Sequence, residues 1–342
     1  MSNSLRWPAE WEPQAAVMLT WPRPDGDFRD FAAIHAGHVA LAEALAIHAP
    51  LVIAVNDDDL REVVSSALSR IHHQVRLHVV PSNDVWVRDH GPVGVLDGAQ
   101  VTLRSYTFDG WGGKYPADRD NALIPTLAER GVLATLGEVR PVDLTLEGGG
   151  IDSDGQGTLL ATRSSVLDPR RNPGKDTNSI ETILRDTLGV DRFLWLDHGD
   201  LAGDDTDGHI DTLARFVAPH HIVYQGSQDT ALPNDAALTA LATELRALRQ
   251  RDGQPYRLTM LPHTVSAHEG PDGLLPTSYA NFLMLNGAIL VPQYDDPSDA
   301  AAVAALRAAC PQATVIGIDC QALVHQYGSL HCATMNIPAA AS

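Results

Sequence analysis

The segment GSLHC, residues 328–332, places a thiol directly after a histidine, ten residues before the end of the 342-residue chain. A cysteine becomes a nucleophile when a nearby imidazolium or other cation lowers its pKa. If this segment is a strand, neighbouring side chains face opposite ways, so His331 should point away from Cys332. A base from elsewhere in the chain, such as His209, is therefore the better partner for this thiol.

Three further polar clusters can also carry chemistry, and each has the pattern of a strand end or turn, where side chains converge. They are NDVWVRDHGP (83–92), LEGGG (146–150) and DDTDGHID (204–211). If GHID is a strand, His209 and Asp211 share one face, where a base and a carboxylate can handle a proton and a positive charge. The alternatives are a surface pair at a turn and, for Asp89, a local Asp–Arg or Asp-turn interaction.

Elements of two kinds must position these clusters. Amphipathic helical patterns alternate with buried strands, which is the order of an α/β protein. Polar strands also run through tight turns into apolar strands, and each such segment predicts a β-hairpin. These segments are RDHGPVGVLDGAQVTLRSY, EGGGIDSDGQGTLLATR, GHIDTLARFVAPHHIVYQ and YANFLMLNGAILVPQY, with GSLHCATMNIP as a fifth polar strand.

The polar landmarks recur at intervals of about one fifth of the chain. Asp89, Glu147, His209, Asn281 and Cys332 are 51–72 residues apart. Such spacing indicates repeated modules. No low-complexity linker divides the chain, so we expect one domain over residues 1–342.

Composition narrows the class of partner. With 24 Lys+Arg against 43 Asp+Glu, the net charge of −19 argues against nucleic acid and is compatible with a cationic small molecule, although solubility alone also accounts for it. The chain has no apolar run of membrane-spanning length, and its first residues lack the apolar region of a secretory signal. Of three cysteines, we expect Cys310 and Cys320 to be structural, and the odd number favours a reducing cytoplasm.

Motifs for bound cofactors are missing from the sequence. It has no CxxC or HExxH, EGGG does not match the dinucleotide pattern, and DSDGQG does not complete a calcium loop. We therefore expect neither a metal nor an organic cofactor, with a metal hydrolase as the rival interpretation.

Taken in order, these motifs resemble those of the agmatine deiminases and the Porphyromonas-type peptidylarginine deiminases, which form one family. The resemblance covers nearly the whole chain. Its motifs are PAEWEPQAAVMLTWP, NDVWVRDHGPV, LEGGGIDSDGQGTLLAT, RNPG, DDTDGHIDTLARFV, YANFLMLNGAILVPQYDDP and GSLHC. The resemblance implies the pentein fold, an α/β propeller of five ββαβ modules around a pseudo-fivefold axis.

The resemblance also implies roles for the candidate catalytic residues. Cys332 corresponds to the nucleophile that forms a covalent amidino intermediate, and His209 to the general acid and base. Glu147 corresponds to the carboxylate that orients this histidine. Asp89 and Asp211 correspond to the pair that holds the planar, cationic guanidinium, a group that two carboxylates can bind through charge-assisted hydrogen bonds.

Substrate-binding residues follow from the same resemblance. Trp86 corresponds to a wall of the substrate pocket. The family segment DETDGHVDN reads DDTDGHIDT here, so Asp205 replaces the Glu that contacts the distal amine of agmatine, and Thr212 replaces an Asn. The shorter Asp205 reaches the amine through water or marks a different substrate.

The expected activity is hydrolysis of agmatine to N-carbamoylputrescine and ammonia, a step of putrescine and polyamine synthesis. A deiminase of free or peptidyl arginine and an amidinotransferase are the enzymatic alternatives, and a non-catalytic polyamine- or arginine-binding protein is the third. The expected partner is a small cationic guanidino compound. Neither nucleic acid nor a membrane is expected, and a homo-oligomer stays open.

Overall fold

The computed structural model describes residues 5–227, 233–264, 269, 270 and 273–340. Within these ranges the chain is a mixed α/β protein built from several small sheets. None of the helices there combines the length and the apolar character needed to cross a bilayer.

Helices connect most of the sheets. The α-helices are α1 Phe31–Ala46, α2 Asp58–Ala67, α3 Val87–His90, α4 Gly110–Gly113, α5 Asp118–Glu129, α6 Arg163–Val166, α7 Thr177–Leu188, α8 Asp235–Ala247, α9 Asp299–Ala309 and α10 Gln321–Val324. Short 3-10 helices span Ser69–Gln74, Gly148–Gly150 and Ile210–Thr212.

The strands are short. They are β1 Leu5–Arg6, β2 Gln14–Thr20, β3 Leu51–Val55, β4 Val75–Val79, β5 Val93–Asp97, β6 Gln100–Thr107, β7 Glu138–Thr145, β8 Ile151–Ser153, β9 Thr158–Thr162, β10 Arg192–Leu196, β11 Ala214–Ala218, β12 His221–Gln225, β13 Arg257–Leu261, β14 Glu269–Gly270, β15 Gly273–Leu274, β16 Leu283–Leu285, β17 Ala288–Gln293, β18 Thr314–Asp319 and β19 Met335–Pro338.

One pairing pattern recurs in the larger sheets. An antiparallel pair is extended by a parallel strand in β5-β6-β7, β8-β9-β10, β11-β12-β13, β16-β17-β18 and β19-β2-β3-β4. The four predicted hairpins are the antiparallel pairs β5–β6, β8–β9, β11–β12 and β16–β17, so these predictions are confirmed. The fifth polar strand is only partly correct, because β19 begins at Met335 and the residues around Cys332 form turns.

Local chemistry explains why these elements form where they do. At the start of α1, the Asp30 carboxylate accepts a hydrogen bond from the Ala33 amide, a cap that stabilises a helix by about 1 kcal/mol. The helix then buries one face, with Ile34, Leu41 and Leu45 each 1% exposed or less. These side chains stand at helical spacing, as the sequence pattern predicts.

The tightest predicted hairpin turn has the expected backbone. Between β16 and β17, Asn286 and Gly287 have φ of 46° and 85°. Two successive positive φ values define the turn type that matches the twist of paired strands and that favours Asn-Gly. The Asn286 side chain also bonds the backbone of Gln14, which ties this hairpin to β2.

The core occupies three apolar clusters between sheets and helices. Cys310 and Cys320 belong to one of them and are free and buried, as predicted for structural cysteines. Burial raises the pKa of Cys310 to about 11 and that of Cys320 to about 12. Both therefore stay protonated and unreactive near neutral pH.

The fold brings the polar landmarks to equivalent places. Each lies two to five residues before the strand that opens an antiparallel pair. Asp89 precedes β5, Glu147 precedes β8, His209 precedes β11, Asn281 precedes β16 and Cys332 precedes β19. The recurring interval in the sequence therefore reflects a recurring position in the structure.

Candidate active site

Three of the predicted site residues converge above Gly149. A methyl group built on this glycine would lie 2.8 Å from Asp89 Oδ1, 2.8 Å from His209 Nδ1 and 3.1 Å from Asp211 Oδ2. Each of these three residues is 4% exposed or less. Gly149 is needed here because any side chain would collide with the charged groups.

The backbone that carries His209 and Asp211 differs from the prediction. Residues 210–212 form a 3-10 turn instead of a strand, with His209 immediately before it. Strand alternation is therefore the wrong reason for their proximity. The turn itself delivers both side chains to the region above Gly149.

Cys332 lies beside the same region in an amide-lined setting. The Asn281 amide nitrogen lies 3.2 Å from the thiol sulfur, and Asp211 Oδ2 lies 3.8 Å from it. Burial, reinforced by the negative charges of Asp211 and Asp89, holds the pKa of the Cys332 thiol well above its usual range. The thiol is therefore protonated near neutral pH.

His209 has the opposite electrostatic setting. Its Nδ1 lies 3.6 Å from Asp89 Oδ1, and its Nε2 lies 3.9 Å from Glu147 Oε2. Burial disfavours the imidazolium, but Asp89, Glu147 and Asp211 outweigh it and raise the pKa of His209 to about 9. Nε2 therefore faces Glu147, whereas Nδ1 faces the space above Gly149 that Asp89 and Asp211 share.

Glu147 is fixed by a residue to which the sequence analysis assigned no role. The Arg171 Nε donates to both carboxylate oxygens, at 2.7 and 3.0 Å. Burial acts to raise the pKa of Glu147, but His209 and Arg171 outweigh it and lower that pKa. Arg171 is the first residue of the RNPG motif, and that motif was the sequence feature that could have indicated its role.

Asp89 is held by two donors. The Trp111 indole donates to Oδ2 and the Gly149 amide to Oδ1, both at 3.0 Å. Burial dominates and raises the pKa of Asp89 to about 6. Sequence reasoning missed Trp111, whose φ of 58° is unusual for a non-glycine residue and depends on the fold around it.

Trp86 packs against the turn before Cys332. A side chain on Gly328 would approach the Trp86 ring to 2.5 Å, and the Ser329 hydroxyl lies 2.9 Å from the Tyr294 hydroxyl. Both turn residues are buried. Gly328 therefore serves the close approach of the backbone to the Trp86 indole.

Asp205 lies beside the loop of Lys114 and Tyr115. The Tyr115 hydroxyl donates to Asp205 Oδ2 at 3.0 Å, and the Lys114 ammonium contacts the Asp205 carbonyl. Burial raises the pKa of Asp205. Lys114 also pairs with Asp207 at 2.9 Å, so its charge is shared between neighbouring acidic residues.

His331 shares Asp211 with the thiol and also contacts Glu10. Its Nδ1 lies 2.8 Å from Asp211 Oδ2, and its Nε2 lies 2.7 Å from Glu10 Oε2. The strand argument for its direction was wrong, since this segment is a turn. Both side-chain hydrogen bonds of His331 are made to carboxylates. No sequence pattern indicated that His331 and Glu10 lie in contact.

The site combines a buried thiol, an imidazolium and carboxylates that together suit a planar cation. In the part of the chain that the structure describes, no three His, Cys, Asp or Glu side chains are grouped as a metal site requires. A thiol beside an imidazole and carboxylates is a combination that thiol-dependent enzymes use.

Comparison with known proteins identifies the family. The model of the Porphyromonas-type peptidyl-arginine deiminases matches residues 6–338, and the chain belongs to that family. An agmatine deiminase of Pseudomonas putida is 32% identical over 99% of this chain and 96% of its own length.

Solved structures agree in fold. A cysteine-to-serine variant of the C. jejuni agmatine deiminase with substrate bound is 27% identical with a TM-score of 0.90, covering 99% of this chain and 97% of its own. A Porphyromonas gingivalis protein provisionally named an arginine deiminase is 42% identical with a TM-score of 0.91, covering 98% of both chains.

Proposed function

We propose that this protein is an agmatine deiminase, which hydrolyses agmatine to N-carbamoylputrescine and ammonia. The observation that carries the proposal is the convergence of Asp89, His209 and Asp211 above Gly149, with the Cys332 thiol 3.8 Å from Asp211. Two carboxylates suit a guanidinium, and the thiol and imidazolium suit its hydrolysis.

In the first half of the reaction, Asp89 and Asp211 hold the guanidinium so that its carbon faces the sulfur. The bound cation lowers the pKa of the Cys332 thiol, which loses its proton to solvent, and the resulting thiolate attacks this carbon to form a tetrahedral adduct. His209, as imidazolium, gives a proton to the departing ammonia. The product of this half is an amidino group bound through a C–S bond.

In the second half, neutral His209 removes a proton from water. The hydroxide adds to the amidino carbon, and the C–S bond breaks to release the carbamoyl product and the thiolate. Glu147, fixed by Arg171, keeps the imidazole in place and stabilises its charged form. Proton transfer of this kind contributes about 10²–10⁴-fold to the rate.

The charge around Asp205 favours agmatine over arginine. Asp84 is buried, and its pKa is raised to about 8, first by burial and then by Asp120, Asp27 and Asp205. Asp84 is therefore largely neutral near pH 7, and a bound amine would favour its ionised form, whereas the α-carboxylate that arginine carries would oppose it. Trp86 provides an apolar wall nearby.

The deciding experiment is a substrate panel. Purified enzyme is incubated with agmatine, free arginine and a blocked peptidyl-arginine, and ammonia and carbamoyl product are quantified. We expect the highest kcat/KM for agmatine. Turnover of arginine or the peptide alone would overturn the substrate and keep the deiminase class, whereas a new guanidino product with added ornithine or glycine would indicate an amidinotransferase.

Substitution of Asp205 tests recognition of the distal amine. In Asp205→Asn we expect the KM for agmatine to rise roughly 10-fold with little change in kcat, because a hydrogen bond to a charged group is lost. Asp200→Asn is the matched control, since it removes an exposed charge nearby. An equal effect of both substitutions, measured by initial rates, would exclude a specific contact.

The pH profile follows from the charges in the site. Asp89, with its pKa raised to about 6 by burial, must be ionised to bind the cation, so kcat/KM should rise with pH through about 6. Cys332 and His209 begin as a thiol and an imidazolium, and this pair must lose one of its two protons before it can react. The first proton leaves near the pKa of His209, about 9.

We therefore expect a second rise in kcat/KM toward about pH 9. The rise in kcat should occur at lower pH, because bound substrate lowers the pKa of the thiol. Rates of ammonia release at low and saturating agmatine measure both profiles. A kcat/KM that stays constant from acid to alkaline pH would contradict this account.

The same proposal includes the finer architecture. The five sheets with an antiparallel pair and a parallel strand support five modules around one axis, in a single catalytic domain over residues 1–342. Each module then supplies one landmark residue to a central pocket. A reducing cytoplasm suits a chemistry that needs a free thiol, and the three cysteines are unpaired.

A further inference from the structure

His331 lies between two carboxylates at hydrogen-bond distance. Its Nδ1 is 2.8 Å from Asp211 Oδ2, its Nε2 is 2.7 Å from Glu10 Oε2, and the residue is 2% exposed. A neutral imidazole has only one N–H, so one of these contacts would bring a nitrogen lone pair against a carboxylate. Both contacts are favourable only when His331 is an imidazolium.

The surroundings fix this imidazolium in place. The His331 amide donates to Asn281 Oδ1 at 2.9 Å. Glu10 accepts from the Met284 amide at 2.7 Å and pairs with Arg215 at 2.8 Å. The ring is therefore anchored through its own backbone and through a carboxylate that is itself held on two sides.

Asp211 is held by only one of its oxygens. Oδ2 contacts His331, whereas Oδ1 is buried and has no hydrogen-bond partner among the described residues. A buried carboxylate oxygen without a partner is costly, and such an atom calls for a donor from a ligand. A guanidinium supplies N–H donors of the required kind.

We propose that His331 is a positioning residue, which holds Asp211 by one oxygen and leaves the other free to bind the substrate guanidinium. The inference rests on the proposed function and deepens it. His331 touches neither the reacting carbon nor the leaving group, and it acts through Asp211. This arrangement lets two carboxylates lie in one small buried site, because each has a cationic partner of its own. The partner of Asp89 is His209, and that of Asp211 is His331.

The pKa directions agree with this division. Burial raises the pKa of Asp89 to about 6. Burial acts in the same direction on Asp211, but the hydrogen bond and charge of His331 lead the opposing effects and lower its pKa. The charged or titratable groups that face this pair are Glu10, Arg215, Arg88, His209, Asp89 and Cys332.

Two substitutions separate the roles of the ring. His331→Gln cannot place a donor at Nδ1, so we expect kcat/KM to fall about 10- to 100-fold at neutral pH, mainly through KM. Without the imidazolium, burial is less opposed and raises the pKa of Asp211 above that of Asp89, so Asp211 then sets the acid limb of kcat/KM, which should move up by about one pH unit or more. The loss should therefore shrink as the pH is raised.

His331→Asn keeps an amide nitrogen near the Nδ1 position but has no charge. We expect it to bind substrate better than His331→Gln at every pH, with the acid limb still shifted. His38→Gln is the matched control, because His38 is a fully buried histidine whose ring bonds the Ile34 carbonyl in α1. It should leave the pH profile of kcat/KM unchanged.

The experiment begins with the wild-type enzyme on agmatine, arginine and the blocked peptide. If none is hydrolysed, the proposed function fails, whatever His331 does. If the wild type is active and both His331 variants match it, or lose the same factor at every pH, the positioning role is overturned. If neither variant folds, Glu10→Gln should shift the acid limb in the same direction by less, and no shift would overturn the role.

Discussion

Cys332→Ser should lower kcat for agmatine by about 10⁴-fold or more, since loss of a nucleophile removes the covalent route altogether. The substituted hydroxyl is far less acidic than a thiol, and the side chains in contact with the sulfur, Asn281 and Asp211, are too weakly basic to ionise it. The Asp89 and Asp211 carboxylates are untouched. Substrate should therefore still bind, and added agmatine should raise the thermal unfolding temperature of the variant.

The other cysteines offer matched controls for this result. Cys310→Ser changes a buried cysteine in the core cluster, so it should lower stability but keep the kcat of the folded enzyme. Mass spectrometry of wild-type enzyme quenched during turnover should find the amidino adduct on the peptide that carries Cys332. A Cys332→Ser enzyme with near wild-type kcat, or an adduct on Cys310, would refute the covalent mechanism.

The pH behaviour of this thiol connects the prediction to the fold. Cys332 is buried among carboxylates that raise its pKa, so the free enzyme holds Cys332 as a thiol and not as a thiolate. The energy that ionises it comes from the bound cation. A reagent that alkylates thiolates should therefore react slowly with free enzyme and faster in the presence of a small guanidinium compound that leaves the sulfur accessible.

Sequence patterns predicted the parts of this protein that depend on local order. The hairpins β5–β6, β8–β9, β11–β12 and β16–β17 follow from alternating side chains around tight turns, which are properties of neighbouring residues. The landmark spacing was informative for a related reason. Each landmark stands just before such a pair, so the repeat of the pairs sets the repeat of the landmarks.

The parts that were missed depend on residues distant in the chain. His331 lies 321 residues from Glu10 and 120 from Asp211, and no periodicity relates them. Residues 330–333 form a turn, where strand alternation says nothing about direction, and the same holds for His209, which lies immediately before a 3-10 turn. Family motifs pointed to His209 in the sequence, but its geometry comes from tertiary contacts alone.

His209→Gln should lower kcat by about 10²–10⁴-fold, because both proton transfers of the reaction then lack a carrier. KM should change little or fall, since removal of an imidazolium leaves Asp89 and Asp211 with more negative charge to offer a cation. This split between kcat and KM distinguishes loss of catalysis from loss of binding. Initial rates over a range of agmatine concentrations provide both constants.

The point at which His209→Gln stalls can also be observed. If ammonia departure fails, quenched enzyme should carry no adduct on Cys332; if only the hydrolysis of the intermediate fails, the adduct should accumulate after one release of ammonia. His221→Gln is the matched control, because His221 is a buried histidine bonded to Thr259 in the β12–β13 pair, away from the carboxylates of the site. A kcat for His209→Gln within a few-fold of the control would mean that another group moves the protons.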